Sequence, residues 1–163
     1  MHTDPLLSSL AEALLARGWM MATAESCTGG LIAAACTELP GSSRWFERGF
    51  VTYSNLAKTE LLEVPAALIA RHGAVSEPVA RAMAAGAVAR SAAQASVAVT
   101  GVAGPDGGSA DKPVGTVWFG WCVAGQVHTQ CMRFGGDRAA VRAQTRTHAL
   151  QQLLEQVQRG QQA

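Results

Sequence analysis

The sequence predicts an α/β fold, a single-domain three-layer α/β/α sandwich with a mixed sheet. Short apolar runs typical of buried strands alternate with helical patterns along most of the chain. Two later apolar runs, separated by Ala124-Gly125, indicate an antiparallel hairpin that makes the sheet mixed. The 163 residues, 48% of them hydrophobic, suffice for one core, and no repeat or long linker divides them. We therefore treat residues 1–163 as one domain, with its core at about 6–158.

The first half of the chain alternates helical and extended patterns. Leucines at helical spacing indicate a first helix, which Gly18 ends because glycine adopts the left-handed backbone easily. Asn55 is a favoured N-cap, so we expect Lys58 in the first turn of the helix that follows. The predicted elements are a helix over 5–17, a strand over 19–23, a helix from 31 to near 40, a strand over 47–53 and a helix over 55–62.

The second half contains the hairpin and two long helices. Ser76 and Pro78 begin an alanine-rich helix that suits close packing against a sheet. An apolar strand runs into the glycine-rich stretch 101–108, and an amphipathic helix begins near Asp137. The predicted elements are helices over 65–71 and 78–93, strands over 95–100, 114–123 and 126–134, and a helix over 137–158.

Composition argues against several classes of function. A net charge of +1 without a basic block predicts no nucleic-acid partner and no membrane-surface partner. No apolar run approaches the ~20 residues of a membrane span. The four cysteines and four histidines lack metal-ligand spacing, so we expect no metal, and scattered cysteines are typical of reduced thiols in a cytoplasmic protein.

A strand passes into a helix through residues 24–30, which hold an acid, two hydroxyls and two glycines. The first N–H groups of a helix attract anions, and glycines let a ligand approach the backbone closely. Ligands of open α/β sheets gather at the carboxyl ends of strands. Because residues 54–58 and the loop 101–108 also follow predicted strands, the sequence predicts one site formed by the three segments.

Lys58 is the candidate general base, since no histidine lies in a pattern that suits a Ser-His-Asp triad. Burial and a helix N-terminus both disfavour the ammonium form and so lower the pKa of a lysine. A neutral Lys58 near Ser26 would accept the proton of its hydroxyl during nucleophilic attack. Ser54 is a second candidate nucleophile, and the Tyr53 hydroxyl is a candidate for orienting the pair.

Five motifs occur in order: Thr23-Ala24-Glu25-Ser26-Cys27-Thr28-Gly29-Gly30, Gly41-Ser42-Ser43, Tyr53-Ser54-Asn55-x-x-Lys58, Gly73-Ala74-Val75-Ser76 and Thr100-Gly101-x-Ala103-Gly104-Pro105. Together they resemble the CinA C-terminal domain, also known as the PncC nicotinamide-nucleotide amidohydrolase family, over about residues 6–154. The resemblance implies hydrolysis of nicotinamide mononucleotide (NMN) to nicotinate mononucleotide and ammonia, without a cofactor, in pyridine nucleotide recycling. It also implies a stand-alone form of the domain and a homo-oligomer.

The same resemblance implies roles for single residues. Ser26 attacks the amide carbon, Lys58 accepts the proton, and Ser43 is the alternative nucleophile. The loop 101–108, with Thr100 and an unassigned arginine, holds the phosphate, while N–H groups of residues 27–30 stabilise the oxyanion. The further candidates are Tyr53 for catalysis and, for substrate binding, Glu25, Cys27, Thr28, Gly29, Gly30, Asn55, Thr100, Gly101 and Gly104.

Two questions stay open at this point. The alternative function is a non-catalytic nucleotide-binding or regulatory module, although the presence of both Ser26 and Lys58 favours the enzyme, because a binder needs no base. The hairpin aromatics Trp118, Phe119 and Trp121 belong either to the core or to the interface of the homo-oligomer.

Overall fold

The structure, a computed structural model, describes residues 4–160. Its helices are α1 (Pro5–Arg17), α2 (Leu31–Thr37), α3 (Asn55–Leu62), α4 (Ala66–His72), α5 (Glu77–Ala89) and α6 (Arg138–Arg159). Its strands are β1 (Met21–Glu25), β2 (Phe46–Val51), β3 (Ala95–Gly101), β4 (Thr116–Val123) and β5 (Gln126–Arg133). The predicted order of helices and strands is confirmed. The ends differ most at α5, which ends at Ala89 rather than near residue 93, and at α2, which ends at Thr37 rather than near residue 40. β1 begins and ends two residues later than predicted.

The sheet is mixed, as predicted, with the strand order β2-β1-β3-β4-β5. β1 runs parallel to both β2 and β3, whereas the pairs β3–β4 and β4–β5 are antiparallel. The turn of the predicted hairpin lies at Ala124-Gly125, between β4 and β5. Because three neighbouring strands are parallel, their carboxyl ends meet at one edge of the sheet, which is where ligands bind in open α/β folds.

Helices cover both faces of the sheet and complete the three predicted layers. One core includes residues of α1, α2 and α6, among them Leu10, Ile32 and Leu153. The core of the other face includes Leu62 and Met83 of α3 and α5. Phe119 and Trp121 are buried in the first core and stack on each other, so these two aromatics belong to the core rather than to an oligomer interface.

Candidate active site

The carboxyl ends of β1, β2 and β3 fix the backbone around Ser26. Ser26 follows directly after β1, and its N–H donates to the carbonyl of Val99 in β3 at 3.1 Å. On the other side, the N–H of Thr52 donates to the carbonyl of Glu25 at 2.8 Å. Hydrogen bonds to both neighbouring strands therefore hold the residue that carries the candidate nucleophile.

The connection from β2 to α3 positions Lys58. β2 ends at Val51, so the prediction that the strand reaches Tyr53 is wrong. Ser54, not Asn55, is the N-cap, since the Ser54 hydroxyl accepts the N–H of Ala57 at 3.0 Å. Asn55 is instead the first residue of α3. Lys58 lies one turn into the helix, and its side chain reaches back toward the cap.

Lys58 and Ser26 form a buried pair. Lys58 Nζ lies 3.1 Å from Ser26 Oγ, and the two residues are 1% and 8% exposed. Nζ also donates to the carbonyls of Tyr53 at 3.3 Å and Ser54 at 3.5 Å. A neutral amine has two N–H donors for these carbonyls and one lone pair, which remains for the Ser26 hydroxyl. Burial lowers the pKa of Lys58 below its ordinary value, which favours this neutral form.

A cavity of about 220 Å³ opens above this pair. Seven of the predicted site residues line it, namely Ser26, Cys27, Tyr53, Asn55, Lys58, Thr100 and Gly101. The sequence analysis missed four lining residues: Ala74, Val75, Ala103 and Arg138. Ala74, Val75 and Ala103 stand within the quoted motifs, where their small or apolar side chains gave no chemical signal. Among the described residues that line the cavity, none is a histidine or a carboxylic acid.

Arg138 separates this cavity from a second one of about 680 Å³, which Arg138, Arg142 and Ala103 help to line. Its Nη1 donates to the carbonyl of Gly104 at 2.9 Å, and its Nη2 donates to the Tyr53 hydroxyl at 3.3 Å. The sequence offered one signal for it, because an arginine in the first turn of a helix opposes the helix dipole and so suggests a role outside the helix.

Tyr53 contributes through its backbone. Its side chain is 62% exposed, and its hydroxyl contacts Arg138. The Tyr53 carbonyl, by contrast, lies 3.3 Å from Lys58 Nζ and 3.5 Å from Ser26 Oγ. The prediction that the hydroxyl orients the catalytic pair is therefore wrong, because the carbonyl occupies that position.

Glu25 fills the N-terminus of α2. Its carboxylate accepts the hydroxyl of Thr28 at 2.6 Å and the N–H groups of Ile32 and Ala33 at 2.8 and 3.0 Å. Glu25 and Thr28 are fully buried, and neither lines the cavity. The prediction that these two residues bind substrate is therefore wrong. The positive end of α2 holds an anion of the protein itself.

The glycines of the motif shape the backbone rather than line the cavity. Gly29 and Gly30 have φ of 58° and 107°, conformations that allow the sharp passage from β1 into α2. The N–H of Gly29 donates to the carbonyl of Ser26 at 3.1 Å, so it is not free for an oxyanion. The N–H of Cys27, next to Ser26, has no carbonyl partner within residues 4–160, so it is a candidate donor to the oxyanion.

The residues at the end of β3 and in the loop that follows do not match the predicted role of binding the phosphate. Thr100 lines the cavity, but its hydroxyl donates to the carbonyl of Ala74 at 2.9 Å and is not free to bind a phosphate. Gly101 also lines the cavity, and a Cβ at this position would lie 2.8 Å from the carbonyl oxygen of Thr116. Gly104 contributes the carbonyl that holds Arg138 and does not itself line the smaller cavity.

Ser43 lies at the opposite edge of the sheet. It belongs to a 3₁₀ turn, Ser42–Arg44, that precedes β2, and its side chain is exposed. Because β2 is six residues long, the two edges are roughly 20 Å apart. Ser43 cannot reach Lys58 of the same chain, so the fold of a single chain does not support Ser43 as an alternative nucleophile.

Other reactive groups near the pair do not form a second centre. Burial raises the pKa of the Cys27 thiol to about 11, so the thiol stays protonated at neutral pH. Within residues 4–160, no group of three or more histidine, cysteine or acidic side chains could hold a metal ion. None of the helices in that range is long and apolar enough to cross a membrane.

Known proteins resemble the chain over almost its whole length. The nicotinamide-nucleotide amidohydrolase PncC of Escherichia coli K12 is 53% identical over 159 residues, which cover 94% of this chain and 96% of the relative. The protein of the same name from Enterobacter agglomerans is 54% identical over 148 residues, 90% of each chain.

A crystal structure of a CinA superfamily protein from Klebsiella pneumoniae 700603 superposes with a TM-score of 0.92 at 43% identity. The superposition covers 98% of this chain and 99% of that one. The profile of the CinA C-terminal domain matches residues 3–157. The chain belongs to the CinA C-terminal domain family.

Proposed function

We propose that this chain is a nicotinamide-nucleotide amidohydrolase, which converts NMN and water to nicotinate mononucleotide and ammonia. The observation that carries the proposal is the 3.1 Å contact between the buried Lys58 amine and the Ser26 hydroxyl. Relatives at 53–54% identity that bear this activity in their names support it. So does the near-complete coverage of both chains in those comparisons.

The proposed mechanism uses Lys58 as base and then as acid. Ser26 Oγ attacks the amide carbon while Lys58 Nζ accepts the hydroxyl proton, and the N–H of Cys27 donates to the oxyanion. Collapse of the tetrahedral intermediate breaks the C–N bond, and ammonia leaves with the proton from Lys58. Water then attacks the resulting ester, with Lys58 again the base, and Ser26 is regenerated.

We place the nicotinamide ring in the smaller cavity and the phosphate in the larger one. Arg138 and Arg142 are four residues apart on α6 and therefore share one face of the helix. Arg142 Nη2 donates to the carbonyl of Thr28 at 3.0 Å, and its Nε donates to the carbonyl of Cys27 at 3.3 Å. These two hydrogen bonds hold Arg142 beside the segment that follows Ser26. Guanidinium donors that remain free suit a phosphate, so we assign to this pair the binding that the sequence assigned to the loop 101–108.

The test is ammonia release from NMN by the purified wild type, Ser26→Ala and Lys58→Met, in the presence of EDTA. We expect turnover by the wild type and a loss of ~10³-fold or more in both variants. Thermal melts check that the variants fold. A wild type that releases no ammonia although NMN raises its melting temperature would favour the nucleotide-binding module instead.

Three further expectations stay predictions. They are a homo-oligomer, a cytoplasmic location and the absence of nucleic-acid and membrane partners. Activity that survives EDTA would support the prediction that the reaction needs no metal, because the pair of Ser26 and Lys58 supplies both nucleophile and base.

A further inference from the structure

We infer that this site also transfers its acyl group to small neutral amines, so that it forms an amide or a hydroxamate in place of the acid. The inference rests on the proposed function, because it uses the ester of Ser26 formed during hydrolysis. It adds an activity with a second class of substrate, an uncharged amine no larger than hydroxylamine. Two features of the cavity support it: the carbonyl acceptors beside Lys58 and the composition of the lining.

The first feature is the surroundings of the leaving group. Ammonia departs next to Lys58 Nζ, since it takes its proton from that atom. The carbonyl of Tyr53 lies 3.5 Å from Ser26 Oγ and that of Ser54 lies 3.5 Å from Nζ. Each carbonyl accepts an N–H group of Lys58. A carbonyl oxygen has two lone pairs, and the ester of Ser26 has no hydroxyl proton to donate, so the remaining lone pairs suit a neutral amine, which has two or three N–H donors. By microscopic reversibility, the place that ammonia leaves is also a place from which an amine attacks the ester.

The second feature is that no separate base prepares a water molecule. Within residues 4–160, the ionisable groups that line the cavity are Cys27, Tyr53, Lys58 and Arg138. The thiol stays protonated, the Tyr53 hydroxyl faces Arg138, and a guanidinium accepts no proton. Lys58 alone therefore activates whichever nucleophile lies beside it. Because no other group activates water, the ratio of hydrolysis to amine transfer depends on the concentrations and nucleophilicities of water and the amine.

The step balances with hydroxylamine as the amine. Its nitrogen attacks the carbonyl carbon of the Ser26 ester while Lys58 Nζ accepts one of its protons. A C–N bond forms, the bond between that carbon and Oγ breaks, and Oγ takes the proton from Lys58. The products are the hydroxamate of the nucleotide and the free Ser26 hydroxyl, and no oxidant or reductant takes part.

The experiment measures three products from NMN at increasing hydroxylamine concentration, at a pH where hydroxylamine is uncharged: ammonia, the acid and the hydroxamate. We expect the ratio of hydroxamate to acid to rise in proportion to hydroxylamine, and Ser26→Ala to form neither. Ser43→Ala is the matched control, a serine at the far edge of the sheet, and should give the wild-type ratio.

A second substrate shows whether an ester of Ser26 is the branching point. NMN and its N-methylamide analogue lose different amines but would form the same ester, so they should give the same ratio of hydroxamate to acid. Normal ammonia release with acid as the sole product would overturn the inference and leave the proposed function intact, as would ratios that differ between the two substrates. Absence of ammonia release from NMN itself would instead overturn the proposed function.

Discussion

Two helices begin beside the site, and each has a buried ionisable side chain at its N-terminus: an acid at α2 and an amine at α3. At α2 the carboxylate of Glu25 accepts two backbone N–H groups and the Thr28 hydroxyl. At α3 the amine of Lys58 folds back to the carbonyls of Tyr53 and Ser54, just before the helix. The Glu25 side chain accepts hydrogen bonds from the first N–H groups of its helix, whereas the Lys58 side chain reaches carbonyl acceptors that precede its helix.

In the proposed mechanism, this difference separates Glu25, which positions Ser26, from Lys58, which reacts. The Glu25 carboxylate has its acceptors occupied, and it fixes the turn that carries Ser26. Burial lowers the pKa of Lys58, so this lysine gives up its charge easily, which is what a general base requires. Substitutions at the two helix ends should therefore separate activity from stability.

The largest effect on activity is expected for Lys58→Met. Methionine keeps an unbranched apolar side chain of similar length but removes the base, so kcat should fall ~10³-fold. Stability should stay the same or rise, because a buried amine with a destabilised charge is lost. Rates of ammonia release and thermal melts measure the two effects, and Lys112→Met, outside the cavity lining, is the control that should keep full activity. A clear drop in melting temperature for Lys58→Met would contradict the expectation that Lys58 contributes to activity and not to stability.

The pH dependence of the wild type follows from the same lowered pKa. Activity should rise with pH through the pKa of Lys58, because only the neutral amine accepts a proton. The unfolded chain binds this proton more tightly than the folded one, so stability should also rise with pH between the lowered pKa and the ordinary lysine value of about 10.4. In Lys58→Met, the free energy of unfolding should lack this part of its increase with pH. Chemical denaturation at several pH values tests it, and identical slopes in the two proteins would refute it.

Glu25→Gln should affect stability more than chemistry. The amide brings an NH₂ group against donors that now face a carboxylate oxygen, so we expect a loss of ~1–3 kcal/mol in the free energy of unfolding. A displaced Ser26 should lower kcat between about tenfold and a hundredfold. The pH midpoint of activity should stay at its wild-type value, because Lys58 keeps its own surroundings. A shifted midpoint would show that Glu25 acts on the lysine directly.

The fold and the pairing of Ser26 with Lys58 could be predicted because their signals are local. Periodicity, Gly18 and the hairpin turn at Ala124-Gly125 identify the elements, and both Ser26 and Lys58 follow strands whose carboxyl ends share an edge. The role of Glu25 could not be predicted, since a free helix N-terminus and one filled by a side chain have the same sequence signature. Contacts between distant segments, such as Arg138 with Tyr53, leave no pattern in a single sequence.

Arg138→Gln should weaken binding of the nucleotide's phosphate and leave kcat unchanged. Loss of one charge-assisted contact should raise KM for NMN about tenfold, which corresponds to about 1.4 kcal/mol. Nicotinamide riboside lacks the phosphate, so its kcat/KM should change little. Steady-state kinetics with both substrates tests this, with Arg146→Gln, two turns along α6, as the control of equal charge. Equal losses of kcat/KM for both substrates would contradict the proposal that Arg138 binds the phosphate.

The smallest effect is expected for Ser43→Ala. This serine is exposed, lies before β2 and is separated from Lys58 by the length of the strand, so ammonia release and melting temperature should match the wild type. The comparison with Ser26→Ala is informative because both serines belong to the five motifs of the sequence analysis, but they lie at opposite ends of the strands. Should Ser43→Ala lose activity while keeping its fold, the residue would have to act from a second copy of the chain. Mixing it with Ser26→Ala would then restore turnover, since each copy would supply the serine that the other lacks.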